Sequence, residues 1–231
     1  HSLAARRVLS LRFPDLQPVA LAGHSLGELS ALAVSGALTF ADGLRLVRTR
    51  GQLMKRAGEL APGGMAAILN LDIPALDKVC AEASREGEIV QVANDNCPGQ
   101  VVISGAKPAV ERAMELAKAA GAKRALPLAV SIAAHSSLMN SIQSEWDAAV
   151  QAASLKDAYS PVYGNVAARA ISSSDDLRAD ISAQMQSRVR WTESVQGMIG
   201  NGIRHFVEVG SGSVLLGLVK RIDGSVTGQA L

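Results

Sequence analysis

The chain has 231 residues, of which 48% are hydrophobic, 19% charged and 3% aromatic, and its formal net charge is +2. This suits a globular protein of one substantial domain, or of a domain carrying a smaller inserted one, with a core of Ala, Leu, Val and Ile. The charge is too small for a nucleic-acid surface, and the two cysteines, Cys80 and Cys97, offer neither a disulfide framework nor a zinc pattern. No apolar run reaches transmembrane length and no signal-peptide pattern stands at the front, so the expectation is a cytoplasmic protein.

Residues 2–13 read as a helix, and Pro14 and Pro18 bracket the loop after it. Val19 to Ala22 has strand character, Gly23-His24-Ser25-Leu26-Gly27 turns a corner, and the residues from Leu29 to Val34 read as a short helix that Gly36 closes. Thr39 and Asp42 form a helix-start pattern for a helix to about Glu59. On it, Leu44, Val47, Gly51 and Met54 fall at spacings of three and four and are expected to mark the buried side. Pro62-Gly63-Gly64 is a boundary.

Beyond it come a strand over 65–71, a helix over 74–86, strands over 89–93 and 101–104 around a loop from Asn94 to Gly99, a helix over 107–120 and a strand over 124–130. The order βαββαβ is that of a ferredoxin-like unit. Such units also bind RNA, but no strand here carries the stacking aromatics which that requires. Residues 136–153 read as a helix and 162–166 as a strand. Ser174 is expected to cap a helix over 175–184, and a helix over 192–199 leads to a strand over 203–209 and a last helix to about Arg221.

The corner at residues 23–27 carries the chemistry. Strand, G-x-S-x-G, helix is the context of a nucleophile elbow, in which the glycines let strand and helix approach closely and leave the serine Oγ standing clear. The bland alternative is a small-residue turn. A serine hydroxyl is a weak nucleophile, so a base must lie nearby in space. Of the four histidines, His1 is terminal, His205 starts a strand, and His24 is a neighbour of the serine expected to shape the site. His135 stands between a strand and a helix, where open α/β sheets present functional groups, and is the candidate base.

The string Gly23-His24-Ser25-Leu26-Gly27-Glu28 resembles the active-site motif of malonyl-CoA:acyl-carrier-protein transacylases and of the acyltransferase domains of fatty acid and polyketide synthases. Further segments match that family in the right order. They are Arg50-Gly51-Gln52-Leu53-Met54, the segment from Asn96-Cys97-Pro98-Gly99-Gln100 to Gly105, His135-Ser136-Ser137-Leu138-Met139, and Glu208-Val209-Gly210-Ser211-Gly212. The resemblance implies an α/β-hydrolase-like large domain with a parallel sheet, over 1–61 and 128–231, with the ferredoxin-like subdomain inserted over 62–127.

It implies a reaction as well: a malonyl group passes from malonyl-CoA to Ser25, and from there to the phosphopantetheine thiol of acyl carrier protein, in fatty acid biosynthesis. His135 would be the general base, oriented by the backbone carbonyl of Gln184, which is reached by aligning on Val189-Arg190-Trp191. The backbone N–H of Leu26 would be one oxyanion donor, and Arg50 would hold the malonyl carboxylate, with His24 and Asn96 also on the substrate. No tightly bound cofactor, metal, nucleic acid or membrane is implied, and the protein is expected to be a monomer. The family's Gly-Gln-Gly-x-Gln segment, source of a second oxyanion donor, does not occur in these residues, and the chain is expected to be truncated at its N-terminus. Ala133-Ala134 before His135 matches neither common pattern for the choice of acyl extender.

Three other readings compete. A polyketide synthase acyltransferase domain would share the chemistry with another extender. A serine esterase of the α/β-hydrolase type would need an acid between serine and histidine and gives Arg50 no task. A non-catalytic module that binds carrier protein would use surface cations such as Lys118, Lys123 and Arg124.

Overall fold

The computed structural model describes residues 1–231. Helix α1 (Ser2–Arg12) precedes a two-residue strand β1 (Leu21–Ala22), which feeds through the corner into α2 (Leu26–Val34). Helix α3 (Phe40–Leu60) begins where expected, with the Thr39 Oγ1 accepting from the Asp42 N–H at 3.0 Å. Its buried face is Gly43, Leu46, Arg50, Leu53 and Ala57, one step out of phase with the sequence expectation, and Leu44 is exposed. The reason is Arg50: hydropathy assigns an arginine to solvent, yet here it lies on the inner face.

The next four strands and two helices form the expected unit. They are β2 (Gly63–Leu69), α4 (Ile73–Ala83), β3 (Val90–Cys97), β4 (Gln100–Ala106), α5 (Lys107–Ala119) and β5 (Arg124–Pro127). The sheet order is β5-β2-β4-β3 with β2–β5, β2–β4 and β3–β4 all antiparallel, as a ferredoxin-like unit requires. Helices α4 and α5 cover one face with Leu76, Val79, Ala109 and Ala113 packed on Ile68 and Ile103.

One expectation fails. Asn94, Asp95 and Asn96 are strand rather than loop, and β3 runs on to Cys97 through two bulges. Turn propensity loses because these polar side chains find fixed partners: Asn96 on His24 and Asp95 on Thr192.

After a 3₁₀ turn (Ser137–Ile142) come α6 (Gln143–Ala152), β6 (Val162–Tyr163), β7 (Ala170–Ile171), α7 (Ser174–Ala183) and β8 (Val189–Arg190). The cap of α7 is Ser173, one residue before the expected Ser174. The chain ends with α8 (Trp191–Gly200), β9 (His205–Glu208), α9 (Val214–Ile222) and β10 (Thr227–Ala230). Strand β8 joins the ferredoxin-like sheet parallel to β3 and ties the two parts of the chain together. Parallel pairing occurs twice more, in β1–β6 and β9–β10. The main core lies around α2, α3, α6 and α7, where Leu32, Met139, Ile142, Trp146, Leu177 and Ile181 are fully or almost fully buried.

Candidate active site

The corner between β1 and α2 is tight enough to strain its serine. Ser25 has φ 51° and ψ −109°, a region that a residue with a Cβ rarely occupies. Gly23 makes the corner possible, since a Cβ there would lie 2.0 Å from the Gly27 carbonyl carbon. At Gly27 a Cβ would meet nothing within 4 Å, so of the two expected glycines only the first is required by packing. Asn165, just beyond β6, secures the corner. Its Oδ1 accepts from the Ser25 N–H at 2.7 Å and its Nδ2 donates to the Gly23 carbonyl at 2.7 Å. Leu26 is the first residue of α2, so its N–H has no partner within the helix.

Ser25 Oγ lies 2.8 Å from His135 Nε2, across 110 residues of chain. On the other side of the ring, His135 Nδ1 is 2.9 Å from the main-chain carbonyl of Gln184. A carbonyl only accepts, so Nδ1 carries the proton and Nε2 is the acceptor facing the serine. His135 has φ 59° and is almost fully buried. Burial pushes its pKa down to about 4, helped by the charges of Arg50 and His24 and opposed by the Gln184 carbonyl, so the ring is neutral at pH 7. Gln91, on β3, reaches across to hold this segment: its Oε1 accepts from the Ser137 N–H at 3.1 Å.

Arg50 extends from the inner face of α3, only 6% exposed. Its Nη2 donates to Ser25 Oγ at 2.8 Å and to Gln184 Oε1 at 3.3 Å, while its Nε is buried without a partner. Burial lowers its pKa to about 10, against the opposing effect of Glu28, and it remains a cation at neutral pH. His24 turns away from Ser25 Oγ. Its Nε2 pairs with Asn96 Oδ1 at 2.8 Å, and its ring is 5.7 Å from that of Trp191. Burial lowers its pKa despite the Asn96 bond. His205 is exposed at the start of β9 and pairs with Thr227.

All seven residues singled out in the sequence, Ser25, Leu26, His24, Arg50, Asn96, His135 and Gln184, therefore stand at or beside one corner. Asn165, Asp180 and Gln91 were missed. Asn165 could have been found from its place directly after a strand in Val162-Tyr163-Gly164-Asn165, but Gln91 and Asp180 carry no local signal. No group of three or more His, Cys, Asp and Glu side chains is placed to hold a metal ion. A groove of about 540 Å³ runs behind the elbow rather than over Ser25, between β1 and β9, lined by Leu21, Ala22, Val195, Met198, Phe206 and Val207.

A strained serine on a strand–helix corner, bonded to a neutral histidine and flanked by a buried arginine, defines a covalent acyl-transfer site. In agreement, the family described as "Acyl transferase domain" matches residues 10–226, and the chain belongs to that family. Its relatives include the malonyl CoA-acyl carrier protein transacylase of Haemophilus influenzae, 45% identical over 225 residues, or 97% of this chain and 72% of that protein. The Bacillus subtilis protein of the same name is 46% identical over 208 residues, 90% of this chain and 66% of that protein.

Among solved structures, an acyl carrier protein S-malonyltransferase from Vibrio cholerae superposes with a TM-score of 0.95 at 43% identity, covering 100% of this chain and 74% of that one. A malonyl-transacylase solved in complex with a type II PKS acyl-carrier protein gives a TM-score of 0.94 at 40% identity, covering 100% of this chain and 74% of that one. No helix is long and apolar enough to cross a membrane.

Proposed function

We propose that this chain is an S-malonyltransferase, moving a malonyl group from malonyl-CoA to the phosphopantetheine thiol of acyl carrier protein through a malonyl-Ser25 ester. The observation that carries this reading is the convergence of a neutral histidine and a buried cation on one serine oxygen, His135 Nε2 and Arg50 Nη2 each 2.8 Å from Ser25 Oγ. The histidine supplies acyl transfer and the arginine selects an acyl group with a free carboxylate. The partner, the substrate and a place in fatty acid biosynthesis follow from the family and the names of its relatives.

In the first half-reaction Ser25 Oγ attacks the thioester carbon while its proton passes to His135 Nε2. The Nδ1–H stays on the Gln184 carbonyl, which orients the ring and stabilises the imidazolium as it forms. The developing oxyanion accepts from the Leu26 N–H at the start of α2, where the helix dipole also favours negative charge. The tetrahedral centre collapses, the C–S bond breaks, and the His135 proton goes to the leaving CoA sulfur. In the second half-reaction the carrier thiol gives its proton to His135 and attacks the ester, and that proton returns to Ser25 Oγ.

Throughout, Arg50 holds the malonyl carboxylate. Its buried Nε without a partner is a donor for that anion, and the planar guanidinium matches the carboxylate fork. His24 and Asn96, held to each other beside the nucleophile, line the approach of the acyl chain. A three-residue hydrolase triad is disfavoured, because the Nδ1 of His135 faces a carbonyl and no carboxylate. The unit over 62–127 forms the second wall of the site, with the large domain over 1–61 and 128–231, and the enzyme acts as a cytoplasmic monomer.

The deciding experiment is intact mass after mixing with malonyl-CoA. A gain of one malonyl group, lost in Ser25→Ala, is the expected result. A gain that survives in Ser25→Ala overturns the assignment.

A further inference from the structure

Two carboxyl groups lie beneath the elbow and take no part in the steps above. Glu28, on α2, is fully buried, and Asp180, on α7, is 5% exposed. The two side chains share a hydrogen bond. Asp180 is fixed from its other side, accepting from the Ala167 N–H at 2.6 Å and the Val166 N–H at 3.2 Å. Gly164 makes room for it, since a Cβ there would stand 2.6 Å from the Asp180 carboxyl. Glu28 Oε1 accepts from the Asn165 N–H at 3.2 Å, and its Oε2 accepts from the side-chain amide of Gln184.

Gln184 is the point where these contacts meet the reaction. Its Nε2 donates both to Glu28 Oε2 and to the Ser25 carbonyl, the latter at 3.0 Å. Its Oε1 accepts from Arg50, and its main-chain carbonyl accepts from His135 Nδ1. An amide can lie either way round. Flipped, it would set its NH₂ against the Arg50 guanidinium, donor against donor, and its oxygen against the Glu28 acceptor. An acceptor at position 28, together with the Ser25 carbonyl, therefore fixes which end faces Arg50.

We propose that Glu28 is a positioning residue for acyl transfer, anchoring the Gln184 amide so that one residue presents its main-chain carbonyl to His135 and its side-chain carbonyl to Arg50 together. This rests on the roles of Ser25, His135 and Arg50 set out above. Burial, then the charge and hydrogen bond of Asp180, hold the Glu28 carboxyl well above the usual carboxylate range. Its Oε2 is the acceptor that anchors the Gln184 amide. A glutamine at position 28 can keep the acceptor for Gln184 while giving up the one for the Asn165 N–H, whereas alanine removes both.

The test follows acyl-enzyme formation by rapid mixing and intact mass, with malonyl-CoA and with acetyl-CoA, in the wild type, Ser25→Ala, Glu28→Gln, Glu28→Ala and Gln184→Met. Amplitude reports the fraction of folded sites and the rate constant reports the chemistry per site. Glu28→Ala is expected to slow malonylation about tenfold to a hundredfold, the cost of a small displacement of reacting groups, and to narrow the preference for malonyl over acetyl. Glu28→Gln, which can keep the acceptor for Gln184, is expected to retain more of both than Glu28→Ala. Gln184→Met, which keeps the main-chain carbonyl and lacks the amide, is expected to behave as Glu28→Ala does, and it serves if Glu28→Ala does not fold.

A reduced amplitude with a wild-type rate constant in Glu28→Ala overturns the proposal and leaves Glu28 a packing residue. Loss in Glu28→Gln as deep as in Glu28→Ala, or a wild-type rate in Gln184→Met, overturns it too. Labelling that persists in Ser25→Ala overturns the underlying assignment instead, so the two failures are distinct.

Discussion

Arg50 Nη2 donates to Ser25 Oγ at 2.8 Å, although the serine stands at the corner before α2 and the arginine is nearly buried on α3. With Arg50 on a lone pair of Oγ, the serine proton is left to point at His135 Nε2, which accepts it. The cation also favours negative charge on the attacking oxygen. When a dicarboxylic acyl group enters, the same guanidinium can meet its carboxylate without leaving the site.

Replacing Ser25 by Ala removes the only oxygen that His135 and Arg50 share. The expected outcome is complete loss of the malonyl adduct in intact mass, with thermal stability unchanged or slightly raised as the corner sheds a polar group. A surviving burst would place the nucleophile elsewhere.

Arg50→Ala is expected to weaken malonyl transfer by about 2–5 kcal/mol, the range for losing one partner of a buried charge pair. Arg50→Lys should recover little, because an ammonium cannot form the two-pronged contact. Competition between malonyl-CoA and acetyl-CoA is the measurement. A preference for malonyl that survives in Arg50→Ala would refute the clamp.

His135 gives a pH dependence of known sign. Its pKa is about 4 in the folded chain and that of an ordinary histidine, about 6.5, in the unfolded one. Between those values the unfolded state binds more protons, so this residue destabilises the fold progressively as pH falls from about 6.5 to about 4, and no further below. The effect is about 3 kcal/mol in all, at about 1.4 kcal/mol for each pH unit between the two values. Urea unfolding at pH 7 and pH 4.5 should show a larger loss for the wild type than for His135→Gln. Acylation rate should stay flat down to about pH 5 and reach half its plateau near 4, where the base becomes protonated. A half-point near 6.5 would show that His135 is not held neutral by burial.

The two elbow glycines should respond differently. Gly23→Ala drives a Cβ into the Gly27 backbone and is expected to cost about 1–3 kcal/mol or more of stability, as overpacking does. Gly27→Ala meets open space within α2 and should be neutral or stabilising by up to about 1 kcal/mol. Thermal unfolding of the two variants side by side is the check. Equal losses would mean that both positions are packed.

Local patterns carried much of this protein. G-x-S-x-G between an apolar run and a small-residue helix made the elbow legible, although packing at this corner requires only Gly23 to lack a side chain. Strand and helix periods determined the βαββαβ unit, whose antiparallel order follows from its connections. His135 stood out by its place between a strand and a helix, and Arg50 only through the resemblance to the acyltransferase motifs. What short-range pattern could not supply was the cost and return of burying polar groups. The phase of α3 was misread because a buried arginine breaks the hydropathy stripe, and Asn94 to Asn96 were read as loop because their partners lie on distant segments. Only the tertiary structure decided that Gln184, whose carbonyl was expected at His135, also faces Arg50 with its amide oxygen, and that Glu28 and Asp180 meet beneath Ser25. Hydrogen bonds among side chains far apart in sequence leave no periodicity behind; they exist only once packing has excluded water and each buried polar atom must find its partner.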